Sequence, residues 1–269
     1  MKLLIKSIFT TVIILSTAYL FAEETAKSKL SETISGQHRE MSSARDQYRH
    51  PLETLNFFQV EEDHSVIEIW PGGGAWYTEI LAPFLRDKGV FYAAQFNPET
   101  ANEYQNKTLN KFNTKLAANP EIYSKVNMVI FNPPNEFNLG APDSVDRVLT
   151  FRNVHNWTRF NDEGVLAAFK AFYQVLKPGG KLGVIDHRLP EDRETGTGGY
   201  VKPSYVIKMV EAAGFTLEAS SEINANAKDS ADYEKGVWTL PPVLALKDQD
   251  REKYLGIGES DRMTLLFVK

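Results

Sequence analysis

The stretch Val66-Ile67-Glu68-Ile69-Trp70-Pro71-Gly72-Gly73-Gly74-Ala75-Trp76-Tyr77 constrains this chain more than any other. A short apolar run ends in a carboxylate, three glycines follow, and residues with helical spacing come next. That order reads as strand, tight loop, helix, the place where an open α/β sheet binds a nucleotide-like ligand. Glycine reaches backbone angles closed to other residues and lets main-chain N–H groups approach a ligand. A carboxylate at the strand end can accept hydrogen bonds from ligand hydroxyl or amino groups.

With 269 residues and 42% hydrophobic content, the chain is long enough for one large α/β domain with a sizeable core. Its first residues read separately. Lys2 and Lys6 precede an apolar run from Ile8 to Phe21 that ends at Ala22, the pattern of a secretory signal peptide over residues 1–22. Leu20 is bulkier than the site before such a cut prefers, so an uncleaved N-terminal anchor is the competing reading. Export, to the periplasm or beyond, agrees with a cysteine count of 0, which also excludes a thiolate nucleophile, a disulfide framework and a Cys-based zinc site. The net charge of -5 and the lack of a basic block argue against nucleic acid as partner. Beyond the first stretch, no run is long enough to span a bilayer.

Residues 23–58 read as a polar leader followed by a helix with Pro51 at its first position. From residue 59 to 269 strands and helices alternate. Strands are expected at Val66–Ile69, Val90–Phe96, Val126–Phe131, Val145–Phe151, Lys181–Asp186, Phe215–Ala219 and Met263–Val268. Helices are expected from about Trp76 to Leu85, bent by Pro83, from Asn97 to Ala118, from Asn161 to the Lys177-Pro178-Gly179-Gly180 turn, and from Lys202 to Ala213. Such alternation implies a mostly parallel sheet covered on both faces. Residues 224–260 break it and read equally as a lid or as an exposed insertion.

At this point the chain resembles the class I S-adenosylmethionine-dependent methyltransferases over roughly residues 60–269, and in more detail a group of exported bacterial proteins called predicted methyltransferases. The likeness rests on the Glu68 strand and glycine loop, Phe91 to Glu99, Asp146 to Phe151, Leu176-Lys177-Pro178-Gly179-Gly180-Lys181-Leu182, Glu211-Ala212-Ala213-Gly214-Phe215, and the strand after Asp261-Arg262. It implies a Rossmann-like, mostly parallel seven-stranded α/β sheet with an antiparallel last strand and helices on both faces. The implied cofactor is S-adenosyl-L-methionine and the implied partner a small-molecule acceptor. Gly72, Gly73 and Gly74 would pass beneath the amino-acid end of the cofactor with Glu68 below. Gln95 would take the ribose, Asn132 would flank the adenine, and Tyr77 and Arg152 would complete the set. The chain departs from the family twice: Trp70 replaces the first loop glycine, and uncharged Gln95 replaces an acidic residue. A nicotinamide-dinucleotide fold is the structural rival, but it would need a small third glycine where Tyr77 stands.

Methyl transfer needs alignment of nucleophile and methyl, plus a base only when the acceptor must lose a proton. His155, in Arg152-Asn153-Val154-His155-Asn156-Trp157, and His187, after Asp186, are the candidate bases. Asp186 would orient His187 or cap the strand end. Arg45, Arg49 and His50 read as a solvated helix face, with coverage of the cofactor as the alternative. Tyr200 and Trp238 are candidate walls of an acceptor pocket. No histidine pair has helical metal spacing, so no metal is expected, although Asp186, His187 and His155 could meet around a divalent ion. A second class of function also stands: an exported binding or scaffold protein on a methyltransferase fold.

Overall fold

Two apolar runs flanking the glycine loop pair side by side and seed a single sheet. The computed structural model describes residues 29–194 and 198–269, so the expected signal peptide lies outside the described residues. The strands are β1 (Ser65–Ile69), β2 (Val90–Gln95), β3 (Asn127–Asn132), β4 (Glu136–Asn138), β5 (Val145–Phe151), β6 (Leu176–His187), β7 (Thr216–Ser221) and β8 (Arg262–Val268). Their order is β4-β3-β2-β1-β5-β6-β8-β7. Strands β3, β2, β1, β5 and β6 are parallel, whereas β8 runs antiparallel between β6 and β7. An antiparallel strand in that place rules out the dinucleotide-binding order.

The sheet has eight strands, not the expected seven. The additional β4 is a three-residue return after Pro133-Pro134, pairing Asn132 with Glu136 antiparallel to β3. Two helix starts also differ. The helix expected at Asn97 spans Glu103–Ala118, because the Asn97 side chain closes a turn by accepting the Glu99 N–H at 2.8 Å. Asn102 is the actual cap, accepting from Gln105 at 3.0 Å. The helix expected from Trp76 spans Thr78–Leu85, since Trp76 and Tyr77 still belong to the turn. Pro83 falls in its last turn.

Helices cover both faces. On one, Asn161–Val175 and Pro203–Ala212 bury Phe169, Phe172, Val206 and Val210 against Val148 and Val184. On the other, Pro51–Phe57 with the Phe58 that follows it, and Thr78–Leu85, bury Leu55, Phe58, Ile80 and Phe84 against Val66, Phe91 and Leu149. Each fully buried side chain of this size contributes about 2 kcal/mol. Phe58 lies so close to β6 that a Cβ on Gly183 would meet its ring at 2.8 Å, which explains glycine there. Among the described residues, no helix is long and apolar enough to cross a membrane.

Candidate functional site

The site forms where β1, β5 and β6 end. Glu68 is buried near the end of β1, its Oε2 accepting from Thr78 Oγ1 at 2.7 Å. Loss of water pushes its carboxyl up to about 8, against the pull of Thr78 and Arg49. Gly72 takes φ +68 in the loop, and nothing lies within 4 Å of where its Cβ would be. Trp70 adopts a left-handed φ of 45, and its indole lies across the strand ends. It donates to the Phe131 carbonyl at 2.8 Å and packs on Phe96 at 4.8 Å between ring centres.

The turn after β5 is tied to both neighbouring strands. Arg152 N donates to Ile185 O at 2.7 Å, and Asn153 Nδ2 donates to Ile69 O at 2.7 Å. That fixes His155 beside Asp186. The Asp186 Oδ1 accepts from His155 Nδ1 and from the His187 N–H, both at 2.7 Å, and Oδ2 accepts from the His155 N–H at 3.1 Å. With its Nδ1 proton given to a carboxylate, His155 keeps a lone pair on Nε2. Asp186 therefore orients His155 through its side chain and touches His187 only through the backbone, contrary to the sequence expectation. His187 Nδ1 sits 2.5 Å from Ser260 Oγ. Burial, followed by His155 and Arg152, pushes the His187 imidazole well below its ordinary value, so it is neutral at neutral pH. His155, Asp186 and His187 do converge, with ligand atoms within 4.8 Å of one another. The carboxylate oxygens are nevertheless engaged by three N–H groups, which makes the grouping a hydrogen-bonded dyad rather than an open ligand set.

Arg49 is not on a solvated face. It is 1% exposed, lies 4.5 Å over the Trp76 ring, and has three buried guanidinium nitrogens without a hydrogen-bond partner. A cation–π contact between residues so far apart in the chain leaves no local sequence signal, so the polar run around Arg49 reads as solvated. Arg45, Arg49 and Arg262 converge on Glu259. Burial works to raise that carboxyl, but the three guanidiniums overrule it and hold it at about 2. The segment 224–260 is a lid in the sense that it supplies Trp238, Glu259 and Ser260 to this region.

Two adjoining cavities open here. One, of about 290 Å³, is lined by Glu68, Tyr77, Arg49, Arg152, His155 and His187, with Trp238 at its edge. The other, of about 380 Å³, lies between Trp70, Phe96 and Tyr104 with Asn102, Gln105 and Thr108. They share Trp70, Gly72, Tyr104, Asn153 and Asn156. Of the residues expected on the cofactor, Glu68, Gly72, Tyr77 and Arg152 line this space. Gly73, Gly74, Gln95 and Asn132 do not. Both amide atoms of Gln95 are buried without a hydrogen-bond partner. Asn132 turns to Glu136, donating at 3.1 Å. Tyr200 lies behind His187 and donates to Asp229 at 3.1 Å.

The residues present fit an adenosyl amino acid, with the polar set moved outwards. Aromatic rings of Trp70, Phe96 and Tyr104 offer stacking surfaces, Asn102 and Gln105 bring polar side chains to the same cavity, and the Arg49 guanidinium, which makes no hydrogen bond, matches a carboxylate. The indole covers the floor yet leaves the 380 Å³ cavity above it open.

No protein-family model and no curated protein matches the chain. Its structure is similar to solved ones. A SAM-dependent methyltransferase from Aquifex aeolicus aligns over 90% of this chain and 97% of its own, at 16% identity and TM-score 0.56. The [4+2]-cyclase SpnF aligns over 93% and 94%, at 12% identity and TM-score 0.58. Mitomycin 7-O-methyltransferase MmcR aligns over 86% of this chain and 56% of its own, at 13% identity and TM-score 0.51. The chain thus has the Rossmann-like fold of class I SAM-dependent methyltransferases. A cyclase on the same fold means that the site, not the fold, must argue the reaction.

Proposed function

We propose that this chain is an S-adenosyl-L-methionine-dependent methyltransferase acting on a small molecule whose attacking atom must lose a proton. The observation that carries this reading is the His155–Asp186 dyad facing the cavity that begins at Glu68 and the glycine loop. When bound, the cofactor supplies an electrophilic methyl on a cationic sulfur. Arg49 would hold its carboxylate, Glu68 its ammonium side, and the Trp70, Phe96 and Tyr104 rings its nucleoside. His155 accepts the acceptor proton at Nε2, while Asp186 holds the ring in that tautomer and stabilises the imidazolium that forms. His187, kept neutral, presents a hydrogen-bonding wall. The dyad favours catalysis over a scaffold role, because binding alone needs no oriented base.

Calorimetry with S-adenosylmethionine and S-adenosylhomocysteine tests it. Binding is expected, and Glu68→Ala and Gly72→Phe should abolish it in protein that still melts cooperatively. Folded wild-type protein that binds neither compound would end the enzyme reading. We further propose that the protein works outside the cytoplasm, on the strength of the basic and apolar start of the chain. A mature N-terminus near Glu23 in envelope fractions is the expected result.

A further inference from the structure

The cavity beside His155 carries more positive charge than the proposed cofactor can answer. The guanidiniums of Arg49 and Arg152 line it, and those of Arg45 and Arg262 lie near enough for both to feel their charge. Among the described residues, Glu259 is the carboxylate in ion-pair contact with three of them, and Arg152 has no such partner. Glu68 is driven towards its neutral form by burial, and the oxygens of Asp186 are occupied by N–H donors. S-adenosyl-L-methionine brings a sulfonium, an ammonium and a single carboxylate, so its own net charge is positive. Its carboxylate can meet one guanidinium face to face. Arg49, stacked on Trp76 just after the glycine loop, is placed for that role.

Arg152 is left without an answer. Its backbone is bound to β6 beside the dyad, and its charge is felt by both Glu68 and His187. Across the same cavity stands Trp238, 43% exposed, its ring 6.5 Å from that of His155. A guanidinium, an oriented imidazole and an indole face thus surround one space. Arg152 is partly buried and faces this space without an ion-pair partner, and a planar oxyanion can meet its guanidinium by bidentate hydrogen bonds.

Resting on the methyltransferase reading above, we propose that the acceptor is a small hydroxy acid whose carboxylate pairs with Arg152 while its hydroxyl meets Nε2 of His155. Its carbon skeleton lies against Trp238. The hydroxyl proton passes to Nε2, an oxygen lone pair forms the new O–CH3 bond, and the C–S bond breaks with its electron pair left on sulfur. The products are a methyl ether of the acid and a neutral thioether, with the proton on His155 beside Asp186.

The test is calorimetric titration of the protein, with and without S-adenosylhomocysteine, using 4-hydroxybenzoate, salicylate and lactate, each against its neutral amide. At least one acid should bind about tenfold or more tighter than its amide. Arg152→Met should erase that preference and Arg152→Lys should reduce it. Should the Met variant fail to fold, the Lys variant decides, and a preference undiminished in it overturns the proposal. So does wild-type protein that binds S-adenosylhomocysteine yet treats every acid and amide alike. An acid preference that depends on Arg152 in protein unable to bind S-adenosylhomocysteine would support the anion seat and overturn only the cofactor reading.

Discussion

Replacing Asp186 by Asn keeps the strand end but removes the charge that holds the Nδ1 proton of His155 and steadies its imidazolium. Turnover should fall by about 10² to 10⁴ with little change in KM, once an acceptor is in hand, and steady-state kinetics checks it. Glu68 gives a different kind of prediction. Its folded pKa of about 8 lies above its ordinary value, so the stability of the protonated form is complete below about pH 4.5 and is lost as pH climbs through 8. Glu68→Gln should remove that decline from denaturant melts between pH 5 and 9, where each tenfold gain in proton affinity on folding corresponds to about 1.4 kcal/mol. A variant that declines as steeply as the wild type would disprove the assignment. Glu68, Gly72, Tyr77, Arg152 and both histidines, singled out in the sequence at strand ends and in the loop after β1, line one cavity. Gln95 and Asn132 were misplaced because a linear pattern does not show that Gln95 is sealed from the cavity or that Asn132 pairs with Glu136 of the short return strand. Arg49 was misjudged since its aromatic partner is distant in sequence.

At the level of strands and helices, β5 matches its sequence-read bounds and the helix Asn161–Val175 its start, because apolar periodicity and a clear start signal agree there, whereas the expected Lys177–Gly180 turn belongs to β6, which begins at Leu176 rather than Lys181. The starts near Asn97 and Trp76 slipped, since side chains that close turns resemble side chains that open helices. β4 escaped notice because three residues carry no periodicity. Gly183 joins two elements: its missing side chain admits Phe58, which follows the helix Pro51–Phe57, and Leu149 of β5. Gly183→Val should therefore cost about 1 to 3 kcal/mol by overpacking, measured by urea melts. Gly72→Ala, where the added carbon meets open space, should cost less despite the strained φ, about 1 kcal/mol. Equal losses at the two positions would contradict this account.

For the molecule as a whole, residues 29–50 belong to the folded body rather than hanging from it. Arg39 is buried and pairs with Asp46, Leu30 joins the apolar cluster of Leu55 and Phe58, and Ser42 bonds Glu79 by its hydroxyl and Trp76 by its carbonyl. A form beginning at Pro51 would strip Glu79 of Ser42 and the nearby Arg39, bare one side of Trp76, and lose Arg49. About 3 kcal/mol or more should go with it, and a denaturant midpoint equal to that of the longer form would contradict this. The sheet order carries a last consequence, for crowding. One border is the three-residue β4. The other is β7, kinked by a bulge between Leu217 and Ala219 and showing Thr216, Glu218 and Ser220 to water. Neither margin offers a long, flat, greasy ribbon for a second chain to zip onto, so concentrated solutions should resist amyloid-like stacking.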